Sequence, residues 1–147
     1  MKAISLIQPW ASLIIMGAKK FETRSWKTEY RGELLIHASS KLPAQYQKEK
    51  FTEGAYFKDF IEDLDQLPYG AIIGKVNLVG IYRTEDLVSP QSLFKDVSIN
   101  EHEKAFGDYS HGRYAWALED AFRFKMPIPY KGALGIWEFP EGLLSGQ

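Results

Sequence analysis

The chain has 147 residues, 45% hydrophobic and 25% charged, a composition typical of one globular domain with a sizeable core. It has no cysteine, which excludes disulfides, thiol nucleophiles and cysteine-ligated zinc and agrees with a cytoplasmic location. The net charge of −1 excludes a generally basic coat, so any nucleic-acid site must be a local patch. We recognise no signal peptide and no run of the ~20 apolar residues that crosses a membrane, and we expect no membrane association.

The first elements are a short strand and a short helix. Residues 2–6 alternate weakly between polar and apolar and predict a strand. Pro9 suits the first turn of a helix, where no amide donor is needed. Apolar side chains in 10–14 recur at helical spacing, and Gly17 supplies the left-handed stop. The pattern predicts a helix that packs on a sheet.

A charged segment follows this helix, and its period changes to two. The residues predicted on one face of the new strand are Lys20, Glu22, Arg24 and Trp26, with Phe21 and Thr23 on the other. A solvated face with weak salt bridges is one interpretation. The cluster nevertheless stands at an element boundary, where sites are often built, and it contains a tryptophan that a solvated face does not need. We therefore place the candidate site in this segment, together with Lys19.

His37 ends the next predicted strand. The turn at Arg31–Gly32 leads into the apolar run 34–36, which is typical of a central strand, and Ser39 follows His37 closely. A structural role and an acid–base role are both open for His37, because the sequence shows no third orienting group.

The middle of the chain predicts a helical insertion over the sheet. Residues 41–67 contain helix formers, an apolar repeat at helical spacing and a stop before Pro68. Lys41, Lys48 and Lys50 give this insertion a basic edge. We interpret each lysine as part of a solubilising helix face and not as a phosphate contact.

The remaining pattern predicts strands with one more short helix. The run 71–82 is the longest apolar strand pattern, and glycines within it are typical of the bends of a small barrel. A short helix over 98–107 and strands over 111–124 and 133–139 follow, with the prolines in 127–129 suiting an edge or connector.

These elements predict an α+β fold, a small, partly closed β-barrel of about six strands with helical insertions. The GxGxxG and Walker phosphate motifs are missing from the sequence, and its three histidines show no HExxH spacing. We therefore expect no cofactor and no dedicated metal site.

Several motifs together resemble a known family. They are Ser5-Leu6-x-Gln8-Pro9-Trp10-Ala11, Gly17-x-Lys19-x-x-Glu22-x-Arg24-x-Trp26, Tyr30-Arg31-Gly32, Leu35-Ile36-His37-Ala38-Ser39, Gly112-x-Tyr114-Ala115-Trp116-x-Leu118 and Pro127-Ile128-Pro129-x-Lys131-Gly132-Ala133-Leu134-Gly135-x-Trp137. This set resembles the ASCH domain (activating-signal-cointegrator homology) over nearly the whole chain, which implies a single domain over 1–147. The resemblance implies a PUA-like barrel with a cleft between barrel and helices. It also implies RNA or nucleoside binding and, in some members, hydrolysis.

One branch of the family is similar to amidohydrolases that deacylate N4-acylated cytidine. Its motif, Gly-x-Lys-x-x-Thr-x-Arg, is matched here by Gly17, Lys19 and Arg24, but Glu22 stands where the threonine nucleophile should be. Thr23 is one residue away and points to the other strand face, which argues against threonine-based amide hydrolysis. The branch also needs a later glutamate, for which the candidates are Glu101, Glu103 and Glu119.

Binding is the first functional hypothesis. The partner would be RNA, another single-stranded nucleic acid or a nucleoside, stacked on Trp26 and Trp116. Arg24 and Lys19 would contact a phosphate or a base edge, and Glu22 would accept from an exocyclic amine. The further residues expected in the ligand site are Gln8, Trp10, Lys20, Ser39 and Lys131.

Two alternatives belong to other classes. In a metal-independent hydrolase, acting on RNA or N4-acylated cytidine, Lys19 or Glu22 would be the general base and Arg24 would stabilise developing negative charge. His37 would then be an acid or base near the 2′-hydroxyl of RNA. In a protein-interaction scaffold, the charged cluster would only support the fold.

Overall fold

The fold is a sheet with short helices, seen in a computed structural model that describes residues 1–44, 48, 55–88 and 99–147. The strands within these ranges are β1 (Lys2–Leu6), β2 (Phe21–Arg24), β3 (Gly32–Ala38), β4 (Ala71–Arg83), β5 (Tyr114–Pro129) and β6 (Ile136–Glu138). The helices there are α1 (Trp10–Ile15), α2 (Ala55–Lys58), α3 (Thr84–Val88) and α4 (Glu101–Ala105), with 3₁₀ turns at Leu64–Gln66 and Glu141–Leu144.

The strands form one mixed sheet in the order β2–β5–β4–β3–β1–β6. β1 and β3 are parallel, and the other neighbouring strands are antiparallel. The sheet curls into a half-barrel. This architecture confirms the predicted α+β class and the partly closed barrel of about six strands.

The bends predicted from glycines lie in β4. Its register with β5 shifts between Ile72 and Gly74, and again between Leu78 and Gly80. A Cβ at Gly74 would overlap the Phe122 carbonyl oxygen and lie 2.8 Å from Ile15 Cδ1. The absent side chain therefore lets helix α1 approach the bent strand closely.

Helix α1 covers the concave side of the sheet and sets the position of the charged segment. Ile14 and Ile15 are buried against side chains of β3, β4 and β5. Gly17 ends the helix with φ +79°, and the Leu13 carbonyl accepts from the amides of Ala18 and Lys19 at 3.0 Å each. This glycine turn sends the chain back toward the sheet, where β2 begins.

Two predicted elements differ in extent from the structure. The predicted insertion over 41–67 contains α2 and the Leu64–Gln66 turn, while 45–47 and 49–54, with Lys50, lie outside the described residues. The prolines in 127–129 belong to β5, which is longer than predicted. Pro129 pairs with Ala71 of β4 on one side and has no β2 partner on the other, because β2 extends along β5 no further than Ala117. This edge placement is compatible with the missing proline amides.

Candidate nucleic-acid interface

An open cleft of about 1150 Å³ lies between the half-barrel and the helical side of the molecule. Its walls come from β2, the end of β3, the turn after α4 and the loop after β5. The lining residues used below are Ser5, Trp10, Glu22, Thr23, Arg24, Trp26, His37, Ser39, Ser40, Lys41, Asp108, Arg113, Tyr130, Lys131 and Gly132. Ligand pockets commonly measure about 300–1000 Å³, so the cleft is large enough for a nucleotide or more.

Strand β2 supplies one wall through the alternation expected from its sequence. Phe21 and Thr23 are buried, whereas Glu22 and Arg24 are half-buried and line the cleft. Thr23 also anchors the opposite wall, because its Oγ1 accepts from the Asp108 amide at 3.0 Å. The carboxylate of Glu22 accepts from the Thr23 amide at 3.0 Å through Oε1.

Arg24 and Trp26 form the polar and aromatic corner of the cleft. Arg24 Nη2 donates to the Ser5 carbonyl at 3.1 Å, and Arg24 Nε has no hydrogen-bond partner among the described residues. The guanidinium carbon lies 5.9 Å from the centre of the Trp26 ring, within cation–π range. Since Nε is buried, Arg24 is oriented by two neighbours and meets the cleft through the remaining, half-buried part of its side chain.

Trp116 is a core residue, so its predicted stacking role is wrong. Its side chain is 0% exposed, and its Nε1 donates to the Trp26 carbonyl at 3.2 Å. The two indoles meet edge to face, with centres 4.9 Å apart. Trp116 therefore packs against Trp26 within the core and has no exposed ring face on which a ligand could stack.

Lys19 lies behind the cleft wall and not in it. The side chain is 1% exposed, its Nζ donates to the Phe106 carbonyl at 2.6 Å, and the ammonium stands 5.5 Å from the Trp10 ring centre. Burial lowers the pKa of Lys19, while the charges of Glu22 and Glu103 oppose that shift. Instead of the predicted direct contact with a ligand, Lys19 makes a structural contact between the turn after α1 and the turn after α4.

Glu103 is the one of the three candidate glutamates that the fold brings to this segment. Glu101 and Glu119 have exposed side chains, whereas Glu103 is 3% exposed. Its Oε1 accepts from the Lys20 amide, and its Oε2 has no partner among the described residues. Burial raises the pKa of Glu103, against the opposing hydrogen bond from Lys20 and the charge of Lys19.

His37 lines the cleft floor and is held from one side. Its Nε2 lies 2.7 Å from the Tyr130 carbonyl oxygen, so Nε2 carries the proton and donates. A Cβ at Gly132 would lie 2.8 Å from His37 Nδ1 and overlap Ser5 Oγ. Burial lowers the pKa of His37, which favours the neutral ring at pH 7. His37 therefore fastens the loop after β5 to β3, and the backbone of Gly132 covers its second nitrogen.

Two more predicted ligand residues lie away from the cleft. Gln8 is 0% exposed, and its amide donates to Ser12 Oγ at 2.7 Å and to the Pro68 carbonyl at 2.8 Å. The Lys20 side chain is exposed and borders a second hollow, beside Val79 and Glu119. Gln8 therefore stabilises the start of α1. The Lys20 side chain precedes β2 and does not share the orientation predicted for it.

Trp10, Ser39 and Lys131, which were predicted as ligand residues, line the cleft together with residues that the sequence did not single out as ligand contacts. Arg113 Nε lies 3.4 Å from Asp108 Oδ2, and Arg113 Nη2 donates to the Thr23 carbonyl at 3.4 Å. The glycine before Arg113 was the only sequence signal at that position, because it marks the turn into β5. Arg113 lies close to β2 because β5, which follows it, pairs with β2 from a distant part of the chain.

The comparison with known sequences identifies the family. The ASCH domain matches residues 4–128, most of the chain. The chain belongs to the ASCH domain family. This chain is 28% identical over 147 residues to activating signal cointegrator 1 of Mus musculus and 27% identical to the Homo sapiens protein. Each alignment covers 97% of this chain and 23% of the relative, so the chain spans about a quarter of the relatives' length.

Solved ASCH structures share the fold. The crystal structure of ASCH from Zymomonas mobilis matches with a TM-score of 0.56 at 15% identity, covering 97% of this chain and 89% of that one. A point mutant of the same protein matches with a TM-score of 0.55 at 15% identity, covering 97% and 91%. These likenesses show the α+β, PUA-like fold. The ASCH family is generally linked to RNA binding.

In 1–44, 48, 55–88 and 99–147, no three His, Asp or Glu side chains are grouped so that they could hold a metal ion. Over the same ranges, no helix has the length and apolar character required to span a membrane.

Proposed function

We propose that the cleft binds single-stranded RNA or a nucleoside or nucleotide, including modified forms. The observation that carries this proposal is the corner formed by Arg24 and Trp26, where an indole and a guanidinium 5.9 Å apart border the same open cleft. A base would stack on the part of Trp26 that lines the cleft. Arg24 would donate to a base edge, and the carboxylate of Glu22 would accept from an exocyclic amine.

The charge of the cleft supports an anionic ligand. Among the described residues, its lining includes the cations Arg24, Lys41, Arg113 and Lys131, but only the carboxylates of Glu22 and Asp108. The chain as a whole has a net charge of −1, so positive charge is concentrated at this surface. A local patch of this kind attracts phosphates although the protein is not basic.

The test is a fluorescence titration with a single-stranded oligoribonucleotide of mixed sequence at several salt concentrations. We expect Trp26→Ala and Arg24→Ala each to weaken binding about tenfold or more, because base–aromatic stacking contributes about 1–3 kcal/mol per base. Trp26→Phe retains an aromatic face and should restore much of the affinity. Arg123→Ala is the matched control, because Arg123 is exposed on β5 outside the cleft. Unchanged affinity in both alanine variants, with folding verified by circular dichroism, would refute the proposal.

A metal-independent hydrolase is the second candidate, favoured by the position of the Glu22 carboxylate in the cleft wall beside Arg24. This candidate would use Glu22 as the general base, because the Lys19 ammonium is engaged with Phe106. It predicts that purified protein in EDTA cleaves RNA or N4-acylated cytidine and that Glu22→Gln loses this activity. A Glu22→Gln variant as active as the parent protein would rule out Glu22 as the general base. A protein-interaction scaffold is a third candidate and predicts no affinity for nucleic acid.

A further inference from the structure

At one end of the cleft, three chain segments leave neighbouring strands side by side. Ala71 of β4 is paired with Ala38 of β3 on one side and with Pro129 of β5 on the other. Just before Ala71, the Gly70 amide donates to the Ala38 carbonyl at 2.8 Å, and the Gly70 carbonyl accepts from the Tyr130 amide at 3.1 Å. The residues that follow β3 and the residues that follow β5 therefore flank the same glycine.

This arrangement places Lys41 and Lys131 on either side of the cleft end. Both lysines line the cleft and have exposed side chains. Strands are spaced about 4.7–4.9 Å apart, so the backbones on the two sides of β4 are roughly 10 Å apart. Two lysine side chains can span that gap and meet at one anion. Lys41 is therefore more than the solubilising residue that its sequence context indicated.

The backbone around each lysine is fixed by contacts within the fold. Lys131 lies between Tyr130, whose carbonyl accepts from His37 at 2.7 Å, and Gly132, which approaches Ser5 and His37 too closely for a side chain. The Lys41 amide donates to Ser39 Oγ at 3.1 Å. The Ser39 amide in turn donates to the Leu6 carbonyl at 2.8 Å. A site with a fixed backbone loses less entropy when a ligand binds.

Neither lysine is neutralised by a carboxylate among the residues that the structure describes. The cleft carboxylate Asp108 is engaged elsewhere, since it accepts from Ser110 and lies 3.4 Å from Arg113 Nε. The exposed Ser40 lines the cleft beside Gly70, where a Cβ would lie 3.5 Å from Ser40 Cβ, and adds a hydroxyl donor. Two uncompensated ammonium groups with a serine donor have the chemistry of a phosphate site.

We propose that Ser40, Lys41 and Lys131 bind a phosphate of the ligand, so that the cleft prefers phosphorylated nucleotides over free nucleosides. This inference rests on the proposed function, because the base is held at the Arg24 and Trp26 corner. The two ends are connected by short contacts, since Arg24 donates to Ser5, Ser5 is in register with His37, and His37 holds Tyr130 beside Lys131. A base and its phosphate therefore have separate places in one continuous cleft.

The test compares three kinds of probe by calorimetry at fixed ionic strength: the four ribonucleosides, their 5′-monophosphates, and the dinucleotide UpU, which has only an internal phosphodiester. We expect the monophosphates to bind about tenfold or more tightly than the nucleosides, and inorganic phosphate to compete with them. A greater affinity for UpU than for the monophosphates would assign the site to the RNA backbone, and the reverse would assign it to a terminal phosphate. Either order supports a phosphate site, provided both probes bind more tightly than the nucleosides.

The variant Lys41→Ala/Lys131→Ala separates this inference from the proposed function. It should remove the advantage of the phosphorylated probes and leave nucleoside affinity unchanged. Lys58→Ala/Lys125→Ala is the matched control, because both lysines are exposed outside the cleft. Equal affinity of nucleosides and monophosphates in the parent protein would overturn the inference while RNA binding dependent on Trp26 still stood. Binding of none of these probes, nor of RNA, would overturn the proposed function as well.

Discussion

Lys19 and Arg24 belong to the same short segment, but they occupy opposite environments. The Lys19 ammonium is almost fully buried and donates to the Phe106 carbonyl, whereas Arg24 is half-buried, borders the cleft and retains a donor without a partner among the described residues. Lys19 belongs to the turn that follows α1, and Arg24 belongs to β2. Residues that are close along the chain therefore need not share one site, because the turn and the strand orient their side chains differently.

The largest expected effect on stability is at Lys19. Lys19→Ala should lower the free energy of unfolding by roughly 2 kcal/mol or more, because the Phe106 carbonyl loses a buried donor and the alkyl chain leaves a cavity. Lys19→Met keeps most of the side-chain volume and should cost less. Urea denaturation measures both variants. A Lys19→Ala protein as stable as the parent would show that the buried contact is not structural.

Arg24→Lys should have a large effect on binding and a small one on stability. The lysine keeps the positive charge but lacks the planar fork that donates to Ser5 and borders the cleft at the same time. We expect RNA affinity to fall several-fold and the unfolding midpoint in urea to stay nearly constant. Full affinity in this variant would mean that Arg24 acts through its charge alone.

The pH dependence of stability should reveal the buried carboxyl group of Glu103. Burial raises the pKa of Glu103, so the folded state binds its proton more tightly than the unfolded state does. The stability contributed by protonated Glu103 is present below the unfolded pKa of about 4.3 and is lost as the pH rises through the folded pKa. Relative to Glu103→Gln, the parent protein should therefore lose stability between pH 4 and neutrality. Parallel stability profiles for the two proteins would contradict the raised pKa.

The smallest effect is expected at Lys20. Its amide donates to Glu103, but its side chain is exposed and outside the cleft. Lys20→Ala keeps the amide, so we expect a stability change within about 0.5 kcal/mol and unchanged RNA affinity. Urea denaturation and fluorescence titration check both expectations. A loss of RNA affinity in Lys20→Ala would show that the bound RNA reaches beyond the cleft to the hollow near Val79.

The sequence predicted the parts of the site that depend on local pattern. Alternation along β2 placed Phe21 and Thr23 inside, and it placed Glu22 and Arg24 on the cleft side. The burial of Lys19 could not be predicted, because its partner Phe106 is 87 residues away. Trp116 lies in the strand predicted over 111–124. Local alternation could not show its burial, because Ala115 and Ala117 on the other strand face are buried too.

The segments that meet at the proposed phosphate site illustrate the same limit. Lys41 and Lys131 are far apart in the sequence and become neighbours only because β3 and β5 both pair with β4. The sequence analysis expected Ser39 and Lys131 in the ligand site, each from a separate motif. Their association requires the register of the sheet, which no local pattern specifies.

The most direct test of RNA binding in the cleft follows backbone amide and side-chain N–H signals by NMR as an oligoribonucleotide is added. We predict that the largest shifts occur at the Trp26 indole, Arg24 Nε–H and the amides of Ser39 and Lys131. The core indole of Trp116 and the amides beside Val79 and Glu119 should change little. Shifts confined to the hollow near Val79 and Glu119, or no shifts at RNA concentrations that saturate binding, would contradict the account.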